Sequence, residues 1–407
     1  MTGALTPPAR HTGLMELRLG PVKNTFLFVD DLDAAARWYA ARLGRDPAVR
    51  GGSLVAFDLD GGRLTIHAAD EYNTPGPAGT AAYWRVDDVD AVVAEWERHG
   101  AVAHRGPKTV FTGERLCQLL DPFGNLFCIV ETAQTDGVTV DRDIRYGTVG
   151  DESLLLDVYA PDGPVDPSRA AVVLVHGGGW FRGAKAKEPR LASMLARAGY
   201  LVFVPDYREA PAHTFPASRD DVLAAGQWAL GADYAFDRDR LAFFGGSAGG
   251  NLAVEAAIAT GRPAVSWSGI FDLRHIIEST ESAATDPEAA PMTQDLDALK
   301  SADIDQTGPD VPFLRWTILQ EVGGDRSLLE AASTTRHVVA GSGPVYLVNS
   351  MHEFVPVDDP AALQSAFAAV GVASTLQLVP GVHHAEGYTD QAIGGSLQFL
   401  ADALRRD

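Results

Sequence analysis

Residues 241–255 read LAFFGGSAGGNLAVE, and within them Gly245-Gly246-Ser247-Ala248-Gly249 fits the pattern G-x-S-x-G. A strand-like apolar run enters this pentapeptide and a helix-like run leaves it. A nucleophilic serine needs that setting. A tight turn with small neighbours lifts its hydroxyl clear of a sheet, at the N-terminus of a helix. A serine hydroxyl is inert at its own pKa, so Ser247 as nucleophile requires a base elsewhere in the chain. A second glycine run, His176-Gly177-Gly178-Gly179-Trp180, also follows an apolar stretch. Tandem glycines leave backbone N–H groups unshielded, which suits a tetrahedral oxyanion. The donors are then Gly177, Gly178 and Ala248, the residue just after the nucleophile. No Gly-Lys-Ser/Thr follows, which argues against a phosphate cradle, and His176 reads as an orienting residue of the loop. Residues 345–356, VYLVNSMHEFVP, run from a strand-like stretch into His352 and Glu353 side by side. A hydrolase would need the carboxylate that orients its histidine at about this point.

Groups so far apart in sequence need a rigid sheet to bring them together. Short runs of nearly continuous Val, Leu and Phe recur at 171–176, 200–207, 240–245, 264–269, 345–349 and 374–380. Runs that are apolar on both faces mark strands covered on both sides, as in a parallel sheet. Helical stretches such as EPRLASMLARAG, PASRDDVLAAGQWAL and NLAVEAAIATG lie between them. Two earlier strands, near 142–148 and 153–159, make an antiparallel start.

The two glycine motifs, with VPDYREAP at 204–211, resemble the α/β-hydrolase fold over nearly all of residues 140–407. The resemblance is greatest to hormone-sensitive-lipase-like esterases and the related arylformamidases. It implies hydrolysis of a carboxylic ester, or less often an amide, through an acyl-enzyme and without a cofactor. It also implies the chain order Ser, acid, His for the triad. The family pattern G-x-x-H after the last strand falls on His384, with His383 facing away. The family pattern for the acid, G-x-x-D-x-x-V-P, puts His352 where the aspartate should be. Histidine has no negative charge with which to stabilise an imidazolium. Glu353, one residue on, has one, and its extra methylene can make up the displacement. Asp358 and Asp359 read as caps of the helix that follows. The expected catalytic set is Ser247, His384 and Glu353, with Gly177, Gly178 and Ala248 as the oxyanion hole. Residues 272–335 form an insertion that the resemblance makes a lid. Its Phe313, Leu314, Trp316 and Ile318 are either pocket lining or the lid's own core.

The N-terminal part carries a different pattern. Val29-Asp30-Asp31 of FVDDLDAAARWYAARLG (28–44) recurs as Val86-Asp87-Asp88 of RVDDVDAVVAEWERHG (85–100). Each strand ends at Asp-Asp, where acidic groups favour the start of a helix, and each helix closes on a glycine, Gly44 or Gly100. Strand-rich sequence follows both, with hairpin signals DGG at 60–62 and DPFGN at 121–125. This is a duplicated β-α-β-β-β unit. Over residues 20–132 it resembles the vicinal oxygen chelate superfamily of glyoxalase I, extradiol dioxygenases and bleomycin-resistance proteins. The metal-holding positions of that superfamily fall on Asn24, Ala81, Cys128 and near His67. Alanine cannot ligate and asparagine is a poor transition-metal donor, so no metal or other cofactor is expected. The domain is then a small-molecule binding cup or a platform for homodimerisation.

At 407 residues the chain is expected to hold two domains. The fold class is α/β: a doubly wound, mostly parallel sheet, preceded by an α+β domain of two βαβββ units. The boundaries are a tail at 1–19, the glyoxalase-like domain at 20–132, a linker at 133–142 and the hydrolase domain at 143–407. A formal net charge of −21 repels phosphate backbones and anionic lipid, so neither nucleic acid nor membrane is an expected partner. Cys117 and Cys128 give no disulfide framework, the N-terminus shows no apolar signal region, and no apolar stretch reaches about 18 residues. A cytoplasmic protein acting on a small ester is the expectation. The alternatives are an arylformamidase-like amide or lactone hydrolase, a non-catalytic binding or scaffold protein, and an N-terminal glyoxalase or dioxygenase.

Overall fold

The computed structural model describes residues 20, 22–59, 62–75, 80–110, 114–120, 126–131, 137–283 and 308–405. They divide into two compact units, one made mostly of residues up to 132 and the other mostly of residues from 133 onward.

In the first unit, β1 (Val22–Val29), α1 (Leu32–Leu43), β2 (Val49–Arg50), β3 (Leu54–Leu59) and β4 (Gly62–Ala68) form one β-α-β-β-β copy. The second copy is β5 (Thr80–Arg85), α2 (Val89–Glu97), β6 (Val102–Thr109), β7 (Arg115–Leu120) and β8 (Leu126–Glu131). Together they make one sheet in the order β2-β3-β4-β1-β5-β8-β7-β6, with β1 and β5 antiparallel at its middle. The repeated Asp-Asp has a local cause. Asp31 accepts from the Ala34 N–H at 2.8 Å and Asp88 from the Ala91 N–H at 2.9 Å, so each caps its helix. Gly44 ends α1 in the left-handed region, whereas α2 ends at Arg98 and Gly100 turns the chain beyond it. Ile66 packs against α1, and Cys117, Leu119 and Ile129 against α2. The tail 1–19, Asp60, Gly61 and the DPFGN turn lie outside the described residues.

The second unit has the strands β9 (Val138–Val149), β10 (Glu152–Pro161), β11 (Ala171–Val175), β12 (Leu201–Pro205), β13 (Leu241–Gly246), β14 (Ala264–Trp267), β15 (Val345–Ser350) and β16 (Ser374–Val379). Its helices are α3 (Pro189–Arg197), α4 (Ala217–Gly231), α5 (Ala248–Thr260), α6 (Leu273–Ala283), α7 (Val311–Glu321), α8 (Asp358–Ala369) and α9 (Thr389–Ala403). The sheet order is β16-β15-β14-β13-β11-β12-β10-β9. Strands β9 and β10 are antiparallel to their neighbours and the rest are parallel. The apolar runs are continuous because both faces are covered. Phe243 enters the core shared with α4 and α5, and the next residue, Phe244, enters the one shared with α3 and α9. Strand β9 begins at Val138, inside the stretch 133–142 expected to be a linker. Val138 and Val140 pair with Pro161 and Tyr159 of β10, which gives this polar segment a partner strand. Within the 272–335 insertion, residues 284–307 lie outside the described residues. Phe313, Leu314 and Ile318 of α7 are buried in the core on the α4/α5 side, and Trp316 packs on it half-buried.

Candidate active site

Strand β13 ends at Gly246 and α5 begins at Ala248. Ser247 between them has φ 55° and ψ −126°, a strained conformation for a residue with a Cβ. Its N–H is anchored to the Trp267 carbonyl at 2.7 Å, and its side chain caps nothing. Two glycines make the turn sterically feasible. A Cβ on Gly245 would lie 2.3 Å from the Gly249 backbone, and one on Gly249 would lie 2.1 Å from the Val175 carbonyl oxygen. The turn is therefore wedged against the end of β11, where the second motif starts.

His176 leads that motif and is buried. Its ring stacks on Tyr207 with centroids 4.2 Å apart, and the Tyr207 hydroxyl donates to its carbonyl at 3.2 Å. Burial pushes its pKa down to about 3, so it is a neutral packing group. A Cβ on Gly177 would come within 3.2 Å of Ser247 Cβ, which brings this loop against the serine turn. The N–H groups of Gly177, Gly178 and Ala248 have no acceptor among the described residues.

His384 sits in the loop after β16, and its Nδ1 is hydrogen-bonded to Glu353 Oε2 with both side chains buried. A carboxylate only accepts, so Nδ1 donates and Nε2 is the basic nitrogen. Nε2 is buried and has no hydrogen-bond partner among the described residues. The other oxygen, Glu353 Oε1, accepts from the Ser350 N–H at 2.8 Å and the Ser268 hydroxyl at 2.7 Å. Of the two adjacent pairs, Glu353 and His384 are buried while His352 and His383 are exposed. The loop carrying His384 abuts the serine turn. A Cβ on Gly246 would lie 3.2 Å from Ala385 Cβ and 2.5 Å from Glu386 Oε1. No hydrogen bond joins His384 Nε2 to Ser247, a looseness usual in hydrolases without substrate. The Phe354 ring lies 4.1 Å from that of His384 and 6.0 Å from Phe313, so α7 reaches the histidine through one aromatic contact.

Two expectations need revision. Neither Asp358 nor Asp359 caps α8, whose N-cap is Val357, and the role of Asp359 is a different one. It is buried and accepts from the N–H groups of Phe271 and Asp272 at 2.8 and 2.7 Å, bracing the segment after β14, and burial pushes its pKa up to about 7. The run AVSWSG is also not all strand. β14 stops at Trp267, and Ser268 turns out of it at φ 51°. Ser268 and Tyr388 are the residues that sequence reading missed. Beyond its bond to Glu353, Ser268 Oγ accepts from the Ala385 N–H at 3.0 Å and lies 2.6 Å from the Tyr388 hydroxyl. A serine ending a strand carries no sequence signal of such contacts.

In the first unit, the positions that resemble metal ligands are otherwise engaged. Asn24 Oδ1 accepts from the Thr65 hydroxyl at 3.0 Å, and His67 Nδ1 lies 2.7 Å from its neighbour's carbonyl. Ala81 is buried, and burial pushes the Cys128 thiol up to about 12, so it keeps its proton. Among the described residues no three His, Cys, Asp or Glu side chains gather as a metal site requires.

A family model described as the alpha/beta hydrolase fold matches residues 172–386, more than half of the chain. A model of the Glyoxalase/Bleomycin resistance protein/Dioxygenase superfamily matches residues 19–129. Esterase LipQ of Mycobacterium tuberculosis is 30% identical over 251 residues, which is 60% of this chain and 56% of LipQ. The chain thus spans little more than half of that relative. Carboxylesterase NlhH of the same organism is 28% identical over 260 residues, 61% of this chain and 76% of NlhH. Among solved structures, an esterase from the bacterial hormone-sensitive lipase (HSL) family superposes with a TM-score of 0.50 at 25% identity, covering 66% of this chain and 86% of that one. A truncated carbohydrate esterase from gut microbiota superposes with a TM-score of 0.53 at 19% identity, covering 66% and 97%, and bears on the fold alone.

Proposed function

The chain belongs to the α/β-hydrolase fold family, and we propose that it is a serine hydrolase that cleaves a small carboxylic ester through an acyl-enzyme. One observation carries this reading. His384 has one ring nitrogen bonded to a buried carboxylate, and the other is buried, bare among the described residues and on the loop against the Ser247 turn. In the proposed reaction, Nε2 takes the Ser247 proton as the oxygen attacks the ester carbonyl. The N–H groups of Gly177, Gly178 and Ala248 receive the oxyanion. Nε2 then protonates the leaving alcohol, and a water molecule repeats the sequence to release the acid. Glu353 holds Nδ1–H throughout and offsets the charge of the imidazolium.

The names of LipQ and NlhH support an ester as the substrate. The N-terminal domain is proposed to bind a small molecule or to pair two copies of the chain without metal, because Ala81 cannot ligate and Asn24 is a poor transition-metal donor, which leaves one histidine and one thiol where three protein ligands are needed. A cytoplasmic location is proposed because Cys117 and Cys128 are free and buried, which suits a reducing compartment. No helix among the described residues is long and apolar enough to cross a membrane. The test is turnover of p-nitrophenyl esters of graded acyl length beside an anilide, a formamide and a lactone. Ester hydrolysis with fluorophosphonate labelling, both lost in Ser247→Ala, is the expected result. Absence of both in the wild type would overturn the enzyme reading in favour of a binding or scaffold protein.

A further inference from the structure

We propose that Ser268 is a positioning residue for the histidine, acting through Glu353, so that the relay behind Ser247 has a fourth member. The proposal rests on the serine hydrolase reading above and names a residue that the resemblance and the motifs do not assign.

The argument starts from the backbone. Ser268 leaves β14 at φ 51°, a region disfavoured for any residue with a Cβ, and its N–H is fixed to the Val348 carbonyl at 2.7 Å. Glycine would relax that strain, so the serine side chain needs a separate explanation. Its hydroxyl is wholly buried and meets three polar partners. Its single proton goes to Glu353 Oε1, because a carboxylate can only accept. The oxygen accepts from the Ala385 N–H and faces the Tyr388 hydroxyl at 2.6 Å. With the Ser268 proton on Glu353, the single Tyr388 proton is the one that can bridge the two hydroxyl oxygens, and the Val348 carbonyl, 3.0 Å from Tyr388 Oη, is its alternative acceptor.

Ala385 directly follows His384. One hydroxyl therefore holds the acid and the chain that carries the base at a set separation. The arrangement also accounts for a glutamate as the acid. Glutamate has one more rotatable bond than aspartate, so its carboxylate needs anchors of its own. Ser350 N–H and Ser268 Oγ both bind Oε1, which leaves Oε2 aimed at Nδ1.

The experiment uses the full chain with p-nitrophenyl butyrate and two variants. Ser268→Ala removes the hydroxyl, and Ser268→Gly removes it while relieving the backbone, so a folding defect in the first does not decide the matter. Each is expected to lower kcat about tenfold, with KM changed less than about twofold, as for a lost hydrogen bond to a charged group. In a Glu353→Gln background, adding Ser268→Ala is expected to lower kcat less than about twofold, because there is no carboxylate left to aim. An equal loss in both backgrounds would mean a structural role only. That result overturns the proposal, as does wild-type kcat in both single variants. The hydrolase reading is judged separately, by wild-type turnover and its loss in Ser247→Ala.

Discussion

Glu353 and His384 lie 31 residues apart in the chain, and a carboxylate oxygen of the first accepts a hydrogen bond from Nδ1 of the second, out of contact with solvent. The carboxylate proposed as the acid stands one residue later than the family pattern expects, and the loop after β15 is built to allow it. The Ser350 N–H turns back onto Glu353 Oε1 at 2.8 Å, while the Ser350 hydroxyl donates to the His383 carbonyl at 2.6 Å. The first bond pulls the glutamate inward, and the second ties its loop to the loop that carries the histidine. His352, which occupies the usual acid position, is left in solvent with its N–H on the Gly381 carbonyl.

Glu353→Gln is therefore expected to lower kcat by about 10³–10⁴, since an amide can stabilise neither the tautomer nor the imidazolium. KM should change little. Adding His352→Asp to that variant should restore nothing, because a side chain at 352 points to water. Steady-state kinetics of the two variants check both statements, and recovery in the double variant would mean that the loop can re-register.

The parts legible in sequence are those fixed by local physics. Val172, Val173, Phe243 and Phe244 had to be strand residues covered on both faces, and Asp31 and Asp88 had to start helices. Gly245 and Gly249 could be read because a serine turn tolerates nothing larger. Ser268, Tyr388 and Asp359 could not, because their partners come from other strands and loops. Asp359 looked like a cap since it precedes a helix, yet its carboxylate binds two N–H groups about 87 residues away. Val138 was illegible for the same reason: its partner strand, not its own composition, makes it a strand.

The strain at Ser247 leads to a stability prediction. Ser247→Ala keeps a Cβ at φ 55°, whereas Ser247→Gly does not. Both should lose fluorophosphonate labelling. The glycine variant should nevertheless be the more stable of the two by about 1 kcal/mol, the scale of relieved backbone strain less the entropy of an added glycine. Urea unfolding of the two variants measures the difference. A more stable alanine variant would mean that the turn is not strained.

Gly177 and Gly249 should respond differently to alanine. A Cβ on Gly177 would meet the Gly246 carbonyl at 2.9 Å and Ser247 Cβ at 3.2 Å, a contact that moves the proposed oxyanion donors relative to the serine. Gly177→Ala is expected to lower kcat by about 10² with a small loss of stability. A Cβ on Gly249 would press on the Val175 carbonyl at 2.1 Å, against strand backbone that cannot yield. Gly249→Ala should lower stability by about 2 kcal/mol or more. Thermal unfolding beside kcat separates the two effects.

Glu321 makes stability depend on pH. It lies buried in α7, with one oxygen accepting from the Ser218 hydroxyl at 2.9 Å and the other without a partner among the described residues. Burial pushes its pKa up to about 8, against the lowering effect of Ser218. Glu255, also raised by burial, lines the same small cavity, as does Arg219. An unfolded glutamate ionises near about 4.3, so between there and about pH 8 the folded chain keeps a proton that the unfolded chain releases. The contribution of this group is whole below the lower value and is lost as pH rises through the upper one. Glu321→Gln keeps an oxygen for Ser218 but cannot ionise. The urea midpoint of the wild type should therefore fall relative to that of the variant from pH 5 to pH 8, and the two should run parallel above that. Midpoints measured at half-unit steps test this. Parallel curves from pH 5 upward would mean that the carboxyl is already ionised in the fold, with a counter-charge reaching Oε2.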